Sequence, residues 1–325
     1  MIITRTPLRI AVGGGGSDLP SYYERFGSFF ISAAIDKYVY IGINKTFTNE
    51  YNIRYSSQER TKEAGQIRHP IVREALKLHN LGPLEIVSLA DIPAGTGLGS
   101  SGSFTVGLLR AIYAHKREIV TTSSLAEEAC HIEMNLLQEP VGKQDQYIAA
   151  FGGLTCFEID RGGLVTVSPL PIASASMHDL EDHLVLFFTG YSRNASNLLA
   201  DQKTKSDVSD DEMIKNLHFV VELGREIKKV LIAGDNRAFG SLMHEHWLRK
   251  RKRSSGMSNE RIDRWYDAAL ANGALGGKLV GAGGGGFLLF FAEDQKGVRE
   301  TMLREGLEEV RFRFDFDGST VLIRE

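Results

Sequence analysis

The sequence predicts an α+β fold in two lobes. Strand-like and helix-like runs interleave without the regular alternation that a parallel sheet requires. A polar stretch, Ser174–Asp182, precedes the apolar run Leu184–Thr189 and divides the chain into residues 1–175 and 176–325. A length of 325 residues also suits about two domains.

In the first lobe, Leu8–Val12, Ile31–Ile43, Leu84–Leu89 and Leu154–Ile159 read as strands. Helices are expected near Ile71–His79, Ser103–His115 and Leu125–Leu136. Ser124-Leu-Ala-Glu127 has the pattern of a capping box opening the last of these. The second lobe begins with the strand Leu184–Thr189, followed by helices near Asp210–Ile232, Arg237–Trp247 and Asn259–Ala271. Strands Phe287–Phe291, Val310–Phe316 and Thr320–Ile323 follow, with a helix near Gln295–Glu305 between the first two.

Composition narrows the function classes. Hydrophobic content of 42% and charged content of 24% describe an ordinary globule, and a net charge of −3 does not suit a general nucleic-acid binder. No apolar run approaches about 20 residues, so no membrane partner is expected. Cys130 and Cys156 are the only cysteines, which implies no disulfide framework and fits a reducing cytoplasm.

Three glycine-rich loops carry the chemistry. Pro93-Ala-Gly-Thr-Gly-Leu-Gly-Ser-Ser-Gly-Ser103 lies between a strand and a helix and holds four glycines and three serines. Glycine admits close backbone approach, and the helix start offers unpaired N–H groups and a positive dipole end. Pro93, Gly95, Gly97, Leu98, Gly99, Ser100, Ser101, Gly102 and Ser103 therefore read as an anion cradle for nucleotide phosphates. A P-loop would need a Lys before the final Ser or Thr, and none occurs here. Gly97-Leu-Gly99-Ser-Ser-Gly102 satisfies G-x-G-x-x-G, but the following strand and acidic residue of a dinucleotide fold are missing.

Near the start, Thr6-Pro-Leu-Arg-Ile-Ala-Val-Gly-Gly-Gly-Gly-Ser-Asp18 reads as a strand carrying Arg9, then a flexible loop presenting Asp18. Each glycine costs conformational entropy, so the loop implies a ligand. Gly15, Gly16, Ser17 and Asp18 are assigned to a sugar or polyol hydroxyl. The third loop, Gly281 to Gly286, has five glycines and one alanine, more than a hairpin turn needs. It suits close packing against a ligand or another glycine loop, and Gly283 and Gly284 are assigned to the substrate.

With these three stretches, in this order, the chain resembles the GHMP kinase family, from Pro7 to Gly286. The resemblance implies an S5 domain 2-like N-terminal lobe and a ferredoxin-like C-terminal lobe with ATP between them. It also directs attention to Glu133-Met-Asn-Leu-Leu-Gln-Glu-Pro-Val-Gly-Lys-Gln-Asp145-Gln-Tyr, whose Gly-x-x-Asp-Gln-Tyr core is similar to the segment carrying the catalytic aspartate of sugar kinases. It implies Asp145 as the base, with Arg9 stabilising either Asp145 or the transferring group. Ser101 and Glu133 would hold Mg²⁺. Galactokinases typically carry Gly-Glu-His-x-Asp in the first loop, and the Glu and His are absent here. Gly-Gly-Gly-Ser-Asp-Leu, Ile35-Asp-Lys-Tyr-Val-Tyr40 and Gly190-Tyr-Ser-Arg193-Asn-Ala-Ser look most like the subgroup acting on heptose 7-phosphate.

The expected reaction is phosphoryl transfer from ATP to the anomeric hydroxyl of a small-molecule sugar or sugar phosphate. Arg193 and one or two charges of Arg249-Lys-Arg-Lys-Arg253 are candidates for a substrate phosphate, the run otherwise being a solvated helix end. Homodimer formation is compatible with the sequence. His244-Glu-His246 is discounted as a metal site, because helix positions i and i+2 do not face one another. Rival readings are another acceptor (L-fucose, another sugar or a mevalonate derivative), a catalytically silent ATP and sugar sensor, and a nicotinamide-dependent oxidoreductase.

Overall fold

A computed structural model describes residues 1–190, 204, 211–251, 256–281 and 283–324. Its spine is a pair of long antiparallel strands, β1 (Ile2–Gly13) and β2 (Ser28–Lys45), within an eight-stranded sheet. β2 is buried at every position from Ser28 to Ile35, where it is covered on both faces. Over residues 39–43 it alternates between buried and partly exposed, as a strand with one wet face should.

Beyond β1, the neighbours of β2 change along its length. Its first half pairs with β6 (Leu154–Ile159), which carries β7 (Val165–Pro169). Its second half pairs with β5 (Leu84–Ala90). β5 holds β3 (Tyr51–Arg54) in parallel, and β3 turns back into β4 (Gln58–Thr61). On the far side of β1 lies β12 (Thr320–Arg324), so the last strand returns to the first sheet. Around this sheet stand α1 (Pro20–Phe26), α2 (Pro70–Leu78), α3 (Ser100–Lys116), α4 (Thr122–Cys130) and α5 (Gln144–Phe151).

The second sheet runs β11 (Glu308–Glu309), β8 (Leu184–Phe188), β10 (Phe287–Ala292), β9 (Ala274–Leu279), all antiparallel. In chain order that is 4-1-3-2, with helices after the first and third strands, which is a ferredoxin-like arrangement. α6 (Ser174–His183) leads into β8; α7 (Asp211–Ile232), α8 (Asn236–Lys250) and α9 (Glu260–Ala271) precede β9; α10 (Gln295–Arg304) follows β10. Every residue of β10 is buried, and Trp247, Trp265, Tyr266, Phe290 and Met302 form a core of this lobe. No helix among the described residues is long and apolar enough to cross a membrane.

The polar stretch read as the divide between lobes forms a helix, α6, with Leu180 as its buried anchor. Several local expectations need correction. Val310–Phe316 is not a strand: only Phe314 bridges, to Ile35, and the backbone there crosses from one sheet to the other. The cap of α4 is Thr121, whose hydroxyl accepts from Ser124 N at 3.1 Å, so Ser124 lies inside the first turn. The expected helix to Leu136 changes character at its end, where His131–Leu136 widens into a π-helical turn.

Candidate active site

Arg9 sits on β1 with its side chain only 7% exposed. Nε and Nη2 each lie 2.7 Å from Asp145 Oδ1, and Nη1 donates to Gly97 O at 2.6 Å. The guanidinium thus ties the central glycine loop to the aspartate. Both contacts fall on Oδ1; Asp145 Oδ2 accepts no hydrogen bond among the described residues, and the side chain is 30% exposed.

Asp145 lies in the first turn of α5, and Ser100–Ser103 form the first turn of α3. Glycine brings these two starts together. A Cβ at Gly102 would stand 2.8 Å from Asp145 Cβ and 2.9 Å from Gln146 N. Gly99 has φ of 77°, and a Cβ there would stand 3.0 Å from Arg9 Cγ. No side chain caps α3. Two positive helix ends therefore converge at Asp145, and the open N–H groups of α3 make an anion site.

The third glycine loop packs on the central one. A Cβ at Gly97 would lie 2.7 Å from Val280 O, and one at Gly286 would lie 2.1 Å from Thr96 O. Gly283 packs on Met257, and Gly284 N donates to Met257 O at 3.1 Å. Lys250, buried in a run first read as solvated, donates to Leu279 O at 2.9 Å and to Gly281 O. Of the same run, Arg249 stacks on Phe219 and Arg251 faces Asp263.

Beside Asp145 lies a carboxylate of different character. Glu133 is buried in the π-helical turn, where such bulges often mark functional sites. Ser101 Oγ donates to Glu133 Oε2 at 2.5 Å, and Gln146 Nε2 donates to Oε1 at 3.0 Å. Burial pushes the Glu133 carboxyl up, while these hydrogen bonds oppose the rise and the Asp145 charge adds to it. Glu133 has no ion-pair partner among the described residues, and Gln146 Oε1 is buried without a hydrogen-bond donor among them. A buried carboxylate, a serine hydroxyl and an open amide oxygen form a hard-oxygen set that fits a small divalent cation.

The N-terminal loop folds inward. Ser17 is fully buried; its hydroxyl donates to Gly14 O at 2.8 Å and meets Ser28 Oγ at 2.7 Å. Asp18 Oδ2 accepts from Gln144 N at 3.0 Å, fastening the loop to the start of α5; its carboxyl is pushed up by burial. Gly15 approaches the Gln144 side chain, and Gly16 stands beside it in the same turn. Ser103 is likewise buried, donating to Pro7 O at 2.7 Å. Pro93 O accepts from Thr96 Oγ1 at 2.9 Å, which closes the turn ahead of Gly97. Gly95 has φ of 77° in that turn, Leu98 is fully buried, and Ser100 opens α3. Arg193 lies outside the described residues.

Sequence reasoning passed over Lys278. It is fully buried, donates to Val12 O at 2.9 Å and lies 3.4 Å from His246 Nδ1. Burial, with Arg9 nearby, pushes its ammonium down to about 7. The signal was a lone charge in the apolar and glycine run Ala274–Leu279. His244 bonds Tyr266 OH at 2.8 Å, and no metal-binding cluster occurs among the described residues.

Comparison with known proteins accords with this geometry. The family description "GHMP kinases N terminal domain" matches residues 67–153, and "GHMP kinases C terminal" matches residues 227–306. A D-glycero-alpha-D-manno-heptose 7-phosphate kinase of Campylobacter jejuni is 30% identical over 91% of this chain and 90% of its own. A mevalonate kinase of Methanothermobacter thermautotrophicus is 26% identical, over 89% and 91%. Among solved structures, a D-glycero-D-manno-heptose 1-phosphate kinase from Bacteroides thetaiotaomicron superposes with a TM-score of 0.80 at 25% identity, covering 99% of each chain.

Proposed function

The chain belongs to the GHMP kinase family, and on that premise we propose that it phosphorylates the anomeric hydroxyl of D-glycero-D-manno-heptose 7-phosphate, using ATP. GHMP kinases take the phosphoryl group from ATP and pass it to an alcohol. The 30% identical relative and the missing Glu and His in the first loop both support a heptose phosphate over galactose.

The observation that carries the chemistry is the Arg9–Asp145 pair set between two helix starts. Charge in phosphoryl transfer spreads over the transferring oxygens, so positioning and electrostatics dominate. The N–H groups of Ser100 to Gly102 are the open donors for ATP phosphates, that of Ser103 being bonded to Gly99 O at 3.0 Å. Asp145 Oδ2 is the open acceptor for the sugar hydroxyl and its proton. Arg9 fixes that carboxylate and carries positive charge to the loop at Gly97. Ser101 and Glu133 would hold Mg²⁺, which when bound neutralises charge between the phosphates. Asp18 would reach the sugar from the loop that it fastens to α5. The 7-phosphate is assigned to Arg193 and one or two charges of the 249–253 run, of which Lys252 and Arg253 also lie outside the described residues. Division into residues 1–175 and 176–325 puts the nucleotide and sugar sites chiefly on the first part. Cys130 and Cys156, both free and buried, suit a cytoplasmic enzyme.

The test is ADP release with Mg-ATP against heptose 7-phosphate, unphosphorylated heptose, L-fucose, galactose, mannose and mevalonate. Turnover confined to heptose 7-phosphate is expected. Equal turnover of an unphosphorylated sugar would overturn the acceptor, and no turnover with any sugar would overturn the reaction.

A further inference from the structure

At the end of α3 remote from Asp145, a groove of about 860 Å³ opens between the helix and the edge of the first sheet. Strand register puts it there. Ile2 pairs with Ile43 on one side and Arg324 on the other, so the start of β1 and the ends of β2 and β12 lie side by side. Exposed Met1 and half-buried Leu81 give the groove an apolar floor, laid over the buried Ile2 and Ile43. Its rim is basic: Lys45 from β2, Arg324 from β12, and His115, Lys116 and Arg117 from the end of α3. No Asp or Glu lines it among the described residues, in a chain whose net charge is −3.

The helix dipole explains part of this. Lys116 and Arg117 follow the C-terminal carbonyls of α3, where cations are favoured, and Lys116 pairs with Glu118 at 2.9 Å. It does not explain Lys45 and Arg324, which arrive on separate strands. Lys45, Arg117 and Arg324 have no ion-pair partner among the described residues. The concentration of charge is felt locally: burial, and then the Lys45 charge, pushes His115 down.

A cavity of this size falls in the range of small-molecule sites. A basic arc above an apolar floor calls for a ligand with several negative charges and a flat, weakly polar body. Phosphate groups answer the arc through charge-assisted hydrogen bonds, and a nucleobase answers the floor. We propose that this groove is a second nucleotide site, which binds a nucleoside di- or triphosphate distinct from the ATP consumed in catalysis. The two sites are separated along α3 by about 22 Å, from the helical rise between Ser101 and Lys116.

The test is calorimetric titration of the full chain with Mg-ATP, in the wild type and in the double variant Lys45→Glu/Arg117→Glu. Both side chains are exposed, so the variant should fold, which thermal melting checks; Arg324→Glu serves as an independent second variant. The expected result is two ATP per chain in the wild type. The double variant should bind one, and Arg324→Glu should weaken the second site at least tenfold. One ATP per chain in the wild type, or two of unchanged affinity in the double variant, would overturn the proposal. Tripolyphosphate binding at the second site as tightly as ATP would overturn the role given to the base.

Discussion

Asp145 and Glu133 are both acids on the same side of one glycine loop, yet their surroundings differ. Asp145 is partly exposed and paired with Arg9, while Glu133 is buried without a cation. That asymmetry separates a group able to meet a substrate hydroxyl from one suited to a metal. Ser101→Ala should raise the Mg²⁺ concentration needed for half-maximal rate several-fold; an unchanged metal titration would remove Ser101 from that role. Gly99→Ala would force a Cβ within 3.0 Å of Arg9 Cγ at a φ of 77°. It should lower kcat at least tenfold while the fold persists, read by steady-state rates beside a melting curve. The loops were legible because glycines occur in them in number, whereas Asp145 and Glu133 were reached only through the resemblance of their segment to that of sugar kinases. Lys278 was not, because a single lysine in sequence looks the same whether it is solvated or buried 2.9 Å from Val12 O.

At the level of elements, β2 and the longer helices read clearly from apolar periodicity and Leu154–Ile159 falls on the observed strand, but β1 was read only over Leu8–Val12, and β9 and α5 were missed. The failures lie where tertiary contact decides. Val310–Phe316 has strand-like composition but lies at the crossing between sheets, where its backbone bonds scatter over Leu186, Ala34 and Asp36 and only Phe314 forms a β-bridge. The β3–β4 hairpin went unread because Tyr51–Arg54 and Gln58–Thr61 are short and polar. The π-helical turn at Glu133 depends on hydrogen-bond geometry that periodicity does not encode. Packing between the two glycine loops is itself testable. Gly286 has φ of 103° and no room for a Cβ against Thr96 O. Gly286→Ala should cost on the order of 1–3 kcal/mol or more and weaken ATP binding, measured by denaturant unfolding and nucleotide titration. Wild-type stability in that variant would show that the contact between loops is slack.

Across the whole molecule, two lobes with separate sheets meet where the glycine loops pack at Gly97 and Gly281, and Lys278 of the second lobe reaches the end of β1 in the first. Its ammonium titrates at about 7 in the folded protein against 10.5 when free. Between those values the unfolded chain holds a proton that the folded chain lacks, so stability should rise with pH across that window. Below about pH 7 both states are protonated and the contribution is flat, at the level set by burying a charge. Lys278→Met should flatten the rise between pH 7 and 9, seen in unfolding free energies at several pH values. A rise as steep in the variant as in the wild type would assign it to other groups. The two-lobed class was legible from the interleaving of elements, whereas the return of Thr320–Arg324 to the first sheet was not, since nothing local marks which sheet a strand joins.

The most direct test of the account is the turnover of Asp145→Asn with heptose 7-phosphate, measured beside its affinity for ATP. The substitution keeps the size of the side chain and removes the basic carboxylate. Loss of about 10²–10⁴-fold in kcat with near-normal ATP affinity is the predicted result. A rate close to that of the wild type would contradict the assignment of the base and, with it, the reading of the site.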